Sequence, residues 1–165
     1  MENLTISITI HGSMKVPDWN QFYADAKTLT SVLGHTLNYM GLSSSVINSS
    51  KVKRIPKNEE KLLSQLGDNT ISHLTLLSLP EGFKTAYFDY DVMIVRNQEY
   101  ISIVFNATLI ERIHVPSVIE CFAKYSDISE IQIYEMDRYE SPLIFASKAN
   151  PDSCFPSLRM LSVNN

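Results

Sequence analysis

The most informative part of the sequence is the alternating stretch LTISITI at residues 4–10. Its apolar side chains recur at every second position, which is the period of a β-strand with one buried face. Beyond it, the period lengthens to the three- and four-residue steps of an amphipathic helix. Asp18 stands where an N-cap is expected, and Gly41 where a left-handed C-cap residue is expected. This long helix carries its apolar stripe on Trp19, Phe22, Ala26, Leu29, Leu33, Leu37 and Met40.

The next segment predicts a long connection and a short helix. Residues 42–57 are rich in Ser and Asn and then basic, and one short strand is expected around Val46 or Val52. Asn58 is expected to cap the helix, since two glutamates follow it in the first turn. Gly67 is expected to end it.

The middle of the chain predicts three consecutive strands. Residues 70–79 are almost continuously apolar, residues 86–95 alternate, and residues 100–106 form a third apolar run. Residues 96–99 suit a hairpin connection. The three strands are therefore expected to form an antiparallel β-meander.

The last part of the chain predicts one more helix, one more strand and a tail. Pro116 suits the first turn of a helix, and residues 128–136 have the pattern of a strand. Residues 137–165 contain three prolines and are expected to be mostly irregular. Within this tail a short strand is expected at 143–146 and a short helix near 157–161.

The order of these elements predicts an α+β fold, a two-layer sandwich in which helices cover a mainly antiparallel sheet with a β-meander. A chain of 165 residues fits a single domain over residues 1–165. A chain of this length also buries enough surface to fold without a disulfide or a metal.

Composition limits the partners and the compartment. The net charge of −4 and the pI near 5.5 disfavour binding to nucleic acid or to an anionic membrane, since both need a basic surface. The sequence has no signal-peptide pattern at its start and no apolar run of ~18 residues. Its two cysteines do not make a disulfide framework. We expect a cytoplasmic protein without nucleic-acid or membrane partners.

Motifs for catalysis, cofactors and metals are missing from the sequence. The five glycines form neither of the common phosphate-binding loops. None of the four histidines stands at metal-binding spacing from another ligand. Cys154 lacks the surroundings that activate a nucleophilic thiol. We therefore expect no catalytic residue, no cofactor and no metal, and hence a protein that is not an enzyme.

Two acidic and aromatic groups form the candidate site. One lies on the predicted strand 86–95, where two carboxylates project from the same sheet face, and the other follows the last strand. Three interpretations stay open: a carboxylate pair for acid–base or metal chemistry, the solvated face of a half-buried sheet, or a docking surface for a basic partner. The residues expected to contact that partner are Asp89, Asp91, Glu135, Asp137, Tyr139 and Glu140.

In outline the whole chain resembles bacterial toxin-immunity proteins, the small antitoxins encoded beside contact-dependent or type VI secreted toxins. The resemblance consists of the chain length, the mild acidity, the strand–helix–meander order and the lack of a catalytic motif. It implies tight binding to one cognate toxin domain, often a nuclease, with acidic patches that match a basic toxin surface. It carries over no individual residue.

Two other functions remain open. The chain is alternatively a structural or scaffolding domain that self-associates, as a homodimer, through an exposed sheet edge or an apolar face. A third hypothesis is a small enzyme with a cleft around Asp89, Asp91 or His11. A toxin gene next to the gene for this chain would favour the immunity function over both.

Overall fold

The structure is a computed structural model, and it describes residues 3–44, 52–67 and 70–164. The strands are β1 (Leu4–Met14), β2 (Tyr39–Ser44), β3 (Lys53–Arg54), β4 (Ile71–Ser78), β5 (Val92–Arg96), β6 (Tyr100–Asn106), β7 (Ser126–Asp137) and β8 (Arg159–Asn164). The α-helices are α1 (Trp19–Val32), α2 (Ile55–Leu66), α3 (Ala86–Asp89), α4 (Val115–Ala123) and α5 (Pro142–Ala146). Among these described helices, none is both long and apolar enough to cross a membrane.

All eight strands belong to one sheet, in the order β3-β2-β4-β5-β6-β1-β7-β8. Every neighbouring pair is antiparallel, and β4, β5 and β6 follow one another along the chain as predicted. The long strand β1 lies between β6 and β7, with Leu4 opposite Asp137 and Met14 opposite Ser126. The predicted α+β class with a mainly antiparallel sheet is confirmed.

Helices α1, α2 and α4 cover one face of the sheet. Phe22 on α1 and Phe122 on α4 meet edge to face, with ring centroids 5.5 Å apart. Beneath them, Ile8 and Ile103 face each other on β1 and β6 and are fully buried. Each such side chain contributes about 1.5–3 kcal/mol when it leaves water, so this face holds the main apolar core.

The second face of the sheet is also buried, although its β1 row is polar. Thr5, Ser7 and Thr9 point to this face and are fully buried. The Thr9 hydroxyl lies 2.8 Å from the Tyr134 hydroxyl, within hydrogen-bonding distance. The sequence predicts only one buried face for β1, and this is wrong because α5 and the chain around Phe155 close over the other face.

The first helix is shorter than predicted. It ends at Val32, because Gly34 adopts a left-handed backbone with φ of +85°. The Gly34 N–H donates to the Ser31 carbonyl at 2.9 Å, and the next N–H donates to the Thr30 carbonyl at 3.0 Å. These two bonds form a Schellman cap. The cap predicted at Gly41 therefore belongs to Gly34.

The structure confirms the predicted start of the helical apolar stripe but not its end. At its start, the Asp18 side chain accepts a hydrogen bond from the Gln21 N–H at 3.3 Å, so the predicted N-cap is confirmed. At its end, Leu37 and Met40 are buried as predicted but lie outside the helix. Met40 belongs to β2, where it pairs with Leu76 of β4. Burial of a residue was predictable here, whereas its secondary structure was not.

The predicted strand over 86–95 is wrong in its first half. Residues Ala86–Asp89 form the single helical turn α3, and β5 begins only at Val92. The Asp89 carboxylate folds back and accepts two backbone N–H bonds, which favours a turn over an extended chain. Asp89 therefore ends a helical turn and Asp91 lies in the short loop after it, instead of both on one face of a strand.

Two further predictions are corrected in α2 and in the tail. Helix α2 begins at Ile55 and not at Asn58, although Gly67 is its C-cap as predicted. In the tail, α5 replaces the short strand predicted at 143–146, and β8 replaces the helix predicted near 157–161. Proline in the first turn of α5 and pairing of β8 with β7 account for these differences.

The short strand predicted around Val46 or Val52 can be compared with the structure only at Val52. Val46 lies outside the described residues. Val52 directly precedes β3, the two-residue strand that pairs with β2.

A buried arginine ties the loop before α1 to the sheet. Arg96, at the end of β5, is only 1% exposed. Its guanidinium donates to the carbonyl oxygens of Val16 and Pro17. The rings of Trp19 and Tyr125 lie 4.5 and 4.9 Å from its central carbon, which is cation–π geometry. Burial lowers the pKa of Arg96 to about 10, so the group stays charged at neutral pH.

We predict that Arg96→Ala lowers the free energy of unfolding by about 3 kcal/mol, because it removes charged hydrogen bonds and cation–π contacts together. Chemical denaturation measures this loss. The exposed Arg54→Ala is the control, and its effect should stay within about 0.5 kcal/mol. Equal stability of Arg96→Ala and the wild type would contradict this role.

Candidate partner-binding site

The loop between β4 and β5 and the end of β7 form a concave, polar surface pocket with a volume of about 460 Å³. We call this surface the acidic cup. It is placed by the sheet, because β4 leads into the loop and β7 delivers the opposite wall. Its charged and aromatic lining residues are Glu81, Phe83, Lys84, Asp89, Asp91, Arg138 and Tyr139.

Asp89 is fixed in the cup by the backbone. Its Oδ2 atom accepts hydrogen bonds from the N–H groups of Lys84 and Thr85, both at 2.8 Å. These two bonds lower the pKa of the Asp89 carboxyl, and the Arg138 charge lowers it further. The side chain is therefore held in one orientation and stays ionised.

Asp91 lies two residues further on, directly before β5. Its N–H donates to the Ser78 carbonyl at 2.9 Å, which anchors the loop to the end of β4. Its Oδ2 atom lies 3.6 Å from His35 Nδ1, and both side chains are about one-third exposed. This separation exceeds a normal hydrogen bond, so the carboxylate is loosely paired and accessible to a partner.

Arg138 forms the floor of the cup and is 7% exposed. Its Nη1 atom donates to the carbonyl oxygens of Phe88 and Tyr90, at 3.0 and 2.7 Å. The guanidinium carbon also lies 5.2 Å from the centre of the Tyr90 ring. Arg138 therefore clamps the loop that carries both aspartates onto the end of β7.

Tyr139 forms an aromatic wall of the cup. It is 59% exposed, and its ring stacks on Phe88 with centroids 5.8 Å apart and planes inclined by 29°. The Asp137 carboxylate accepts the Tyr139 N–H at 2.8 Å and so caps the turn that presents the ring. The aromatic side chain is thus offered to solvent from a fixed backbone.

The predicted site residues separate into two groups. Asp89, Asp91 and Tyr139 line the cup. Asp137 does not line it but accepts the hydrogen bond of the Tyr139 N–H. Glu135 instead pairs with Arg159 of β8 at 3.2 Å, and Glu140 accepts the Ser157 N–H at 3.1 Å. These last two carboxylates hold the tail against the sheet and do not line the cup.

Three contributors to the cup have no clear signal in the sequence. Glu81 follows a proline in a turn, which is a common solvated position. Phe88 alternates with polar residues as though it lay in a strand. Arg138 stands among acidic and polar neighbours, where a solvent-exposed arginine is the usual interpretation. Only the tertiary structure brings these side chains together.

The cup suits recognition of a cation. Three carboxylates line it, those of Glu81, Asp89 and Asp91, against the two positive side chains of Lys84 and Arg138, so the lining carries one net negative charge. Carboxylates beside an exposed aromatic ring bind lysine and arginine side chains by charge and by cation–π contact. Among the described residues, no three His, Cys, Asp or Glu side chains are grouped to hold a metal ion.

His11, which the enzyme hypothesis places beside a cleft, lines a separate cavity of about 370 Å³. The side chain is 6% exposed, and its Nε2 atom lies 3.1 Å from Gln132 Oε1. Burial lowers the pKa of His11, and the hydrogen bond that its ring donates to Gln132 opposes this effect. Burial alone lowers the pKa of His73 in β4. Both imidazoles therefore prefer the neutral form in the folded chain.

The two lowered pKa values predict a loss of stability in mild acid. Unfolding restores ordinary pKa values near 6.5, so the unfolded chain takes up protons first as pH falls. The stability that these residues contribute is complete above that value and is lost as pH falls through the folded-state pKa. Urea unfolding at pH about 7.5 and about 5.5 should show a smaller loss in His11→Gln with His73→Gln than in the wild type. An identical loss would contradict the assignment.

The bonds of Arg138 to the loop predict that its loss lowers the free energy of unfolding much more than the loss of Arg159 does. Arg138→Ala should lower the free energy of unfolding by about 2–3 kcal/mol, because it leaves two loop carbonyl groups without their charged donor. Arg159→Ala, which removes an exposed ion pair with Glu135, should cost less than about 1 kcal/mol. Chemical denaturation of both variants measures the contrast. Similar losses in the two would argue against the clamp.

Comparison with known proteins gave no match, whether with family models, with curated proteins or with solved structures. No site residue is therefore transferred to this chain from another protein, and the functional proposals rest on its own contacts.

Proposed function

We propose that the chain is a non-enzymatic immunity protein that neutralises a cognate bacterial toxin, such as a nuclease, by binding it directly. In this proposal the acidic cup receives a basic segment of the toxin. One observation carries it: Glu81, Asp89 and Asp91 converge with the exposed Tyr139 ring in a single concave surface. The resemblance to toxin-immunity proteins in length, acidity and element order supports the same function.

The first support is that the cup is organised before a partner arrives. Two backbone N–H groups hold Asp89, and Arg138 holds the loop around it. Ordering a flexible side chain on binding costs about 0.5–1.5 kcal/mol, and much of that cost is already met here. Rigid placement of this kind favours one specific partner.

The second support is the aromatic wall. Tyrosine is enriched at the centres of protein interfaces, because its large ring loses little conformational entropy on burial. Tyr139 is 59% exposed and rests on Phe88, so a partner can cover one ring face without displacing a core residue. A partner arginine stacked on Tyr139 would also reach the nearby carboxylates.

The third support is the electrostatic balance. The chain carries a net charge of −4, and the cup concentrates carboxylates at one place. A toxin that cleaves nucleic acid needs a basic surface around its phosphate-binding site. An acidic protein is attracted to that surface and, once bound, competes with the phosphates. In the proposed role this encounter takes place in the cytoplasm, where the toxin reaches its substrate.

A rate measurement tests the cup. Asp89→Asn with Asp91→Asn removes two charges and keeps oxygen atoms that can accept the Lys84 and Thr85 N–H bonds. We expect this variant to associate with the toxin about tenfold more slowly at low salt, because electrostatic steering is weakened. Stopped-flow or surface binding kinetics measure the association rate.

The matched control removes two charges elsewhere. Glu60→Gln with Glu120→Gln changes exposed positions on α2 and α4 by the same net amount. Its association rate should stay close to that of the wild type. If the two double variants were slowed equally, the cup would have no special part in binding.

The function itself is tested by rescue. A candidate toxin from a neighbouring gene is expressed in cells with and without this chain, and growth and co-purification are measured. Restored growth together with a stable complex supports the immunity function. Absence of both for a toxin that is active in the same cells removes the proposal.

A further inference from the structure

The sheet ends on one side at β8, and this edge is long for an unprotected edge. β8 pairs with β7 from Arg159 opposite Glu135 to Asn164 opposite Ile131. Among the described residues no strand pairs with its other side. The outward backbone N–H and C=O groups of this strand are therefore available to another β-strand.

The side chains of β8 do not discourage such pairing. Met160, Leu161 and Val163 are 38%, 43% and 46% exposed. Residues 160–164 carry no charge, and none of them is proline. Exposed apolar side chains on an open edge are a typical feature of a strand that associates with another chain.

The opposite edge of the same sheet has the protection that β8 lacks. It ends at β3, which is two residues long and consists of Lys53 and Arg54. Pro56 follows in the next turn. Short edge strands, lysine and proline all block edge-to-edge pairing. Among the described strands, the two edges therefore differ in a way that leaves β8 as the open one.

We propose that β8 pairs with β8 of a second copy of this chain, antiparallel about a twofold axis, so that the two sheets form one continuous sheet. The charge of β8 permits a second copy. The chain is acidic overall, yet residues 159–164 contain no carboxylate that would meet its own equivalent. Antiparallel pairing also places Arg159 opposite the far end of the partner strand, away from the partner's Arg159.

The interface is small, so the dimer is expected to exchange rapidly. A six-residue edge with three exposed apolar side chains buries less surface than a stable protein interface, which needs about 1,200–2,000 Å². We expect a dissociation constant of about 10 µM. This inference does not rest on the proposed function, because the cup and β8 are formed by different residues.

Sedimentation equilibrium of the full chain tests the dimer. Between about 1 and about 200 µM the wild type should change from the monomer mass to the dimer mass. Leu161→Lys with Val163→Lys puts the edge-blocking side chain on β8, and this variant should stay monomeric. Val32→Lys changes an equally exposed apolar residue on α1 and should dimerise like the wild type.

Amide hydrogen exchange of the wild type gives a second readout that needs no variant. Amides within residues 159–164 should exchange more slowly at high concentration, while amides in β3 should not change. A monomeric wild type over the whole range overturns the proposal. A dimer that persists in the double lysine variant, or that forms without added protection in β8, overturns it as well.

Discussion

The Arg138 guanidinium donates to the carbonyl oxygens of Phe88 and Tyr90 and so ties the loop after β4 to the end of β7. The cup depends on this contact, since its two walls come from those two parts of the chain. Arg96 plays an equivalent part on the other side of the sheet, where it holds the carbonyl groups of Val16 and Pro17. Each arginine satisfies backbone groups of irregular chain that the sheet itself cannot pair.

Periodicity predicted the parts of the fold that depend on local apolar pattern. The strand over residues 4–10, the N-cap at Asp18 and the β-meander are all present. The pattern failed where another interaction decided the backbone: Gly34 closed α1 early, and the Asp89 carboxylate made a turn inside a predicted strand. Within the candidate site, the carboxylates of Asp89 and Asp91 were predicted from their spacing in the sequence, whereas that of Glu81 was not. Burial of Arg138 was not, because an arginine beside acidic residues looks solvated in sequence.

The carboxylates of this chain have two different uses. The first use is structural: Asp137 caps a turn, Glu140 accepts the Ser157 N–H and holds the tail, and Glu135 fastens β8 through Arg159. The second use is to line the cup. Asp89 combines both uses, because one oxygen fixes the loop while its charge faces the cup. The acidity of the sequence is thus partly structural.

The proposed function requires the cup to be an acidic surface prepared for a basic protein segment. The most direct measurement is a nuclear magnetic resonance titration of the chain with a short arginine-rich peptide at low salt. The amides of Lys84 and Thr85 donate to Asp89, and the amide of Tyr139 donates to Asp137. The resonances of these three amides should shift together and saturate. Shifts spread evenly over the acidic surface, or centred away from these amides, would show that the cup is not the binding surface for a basic segment.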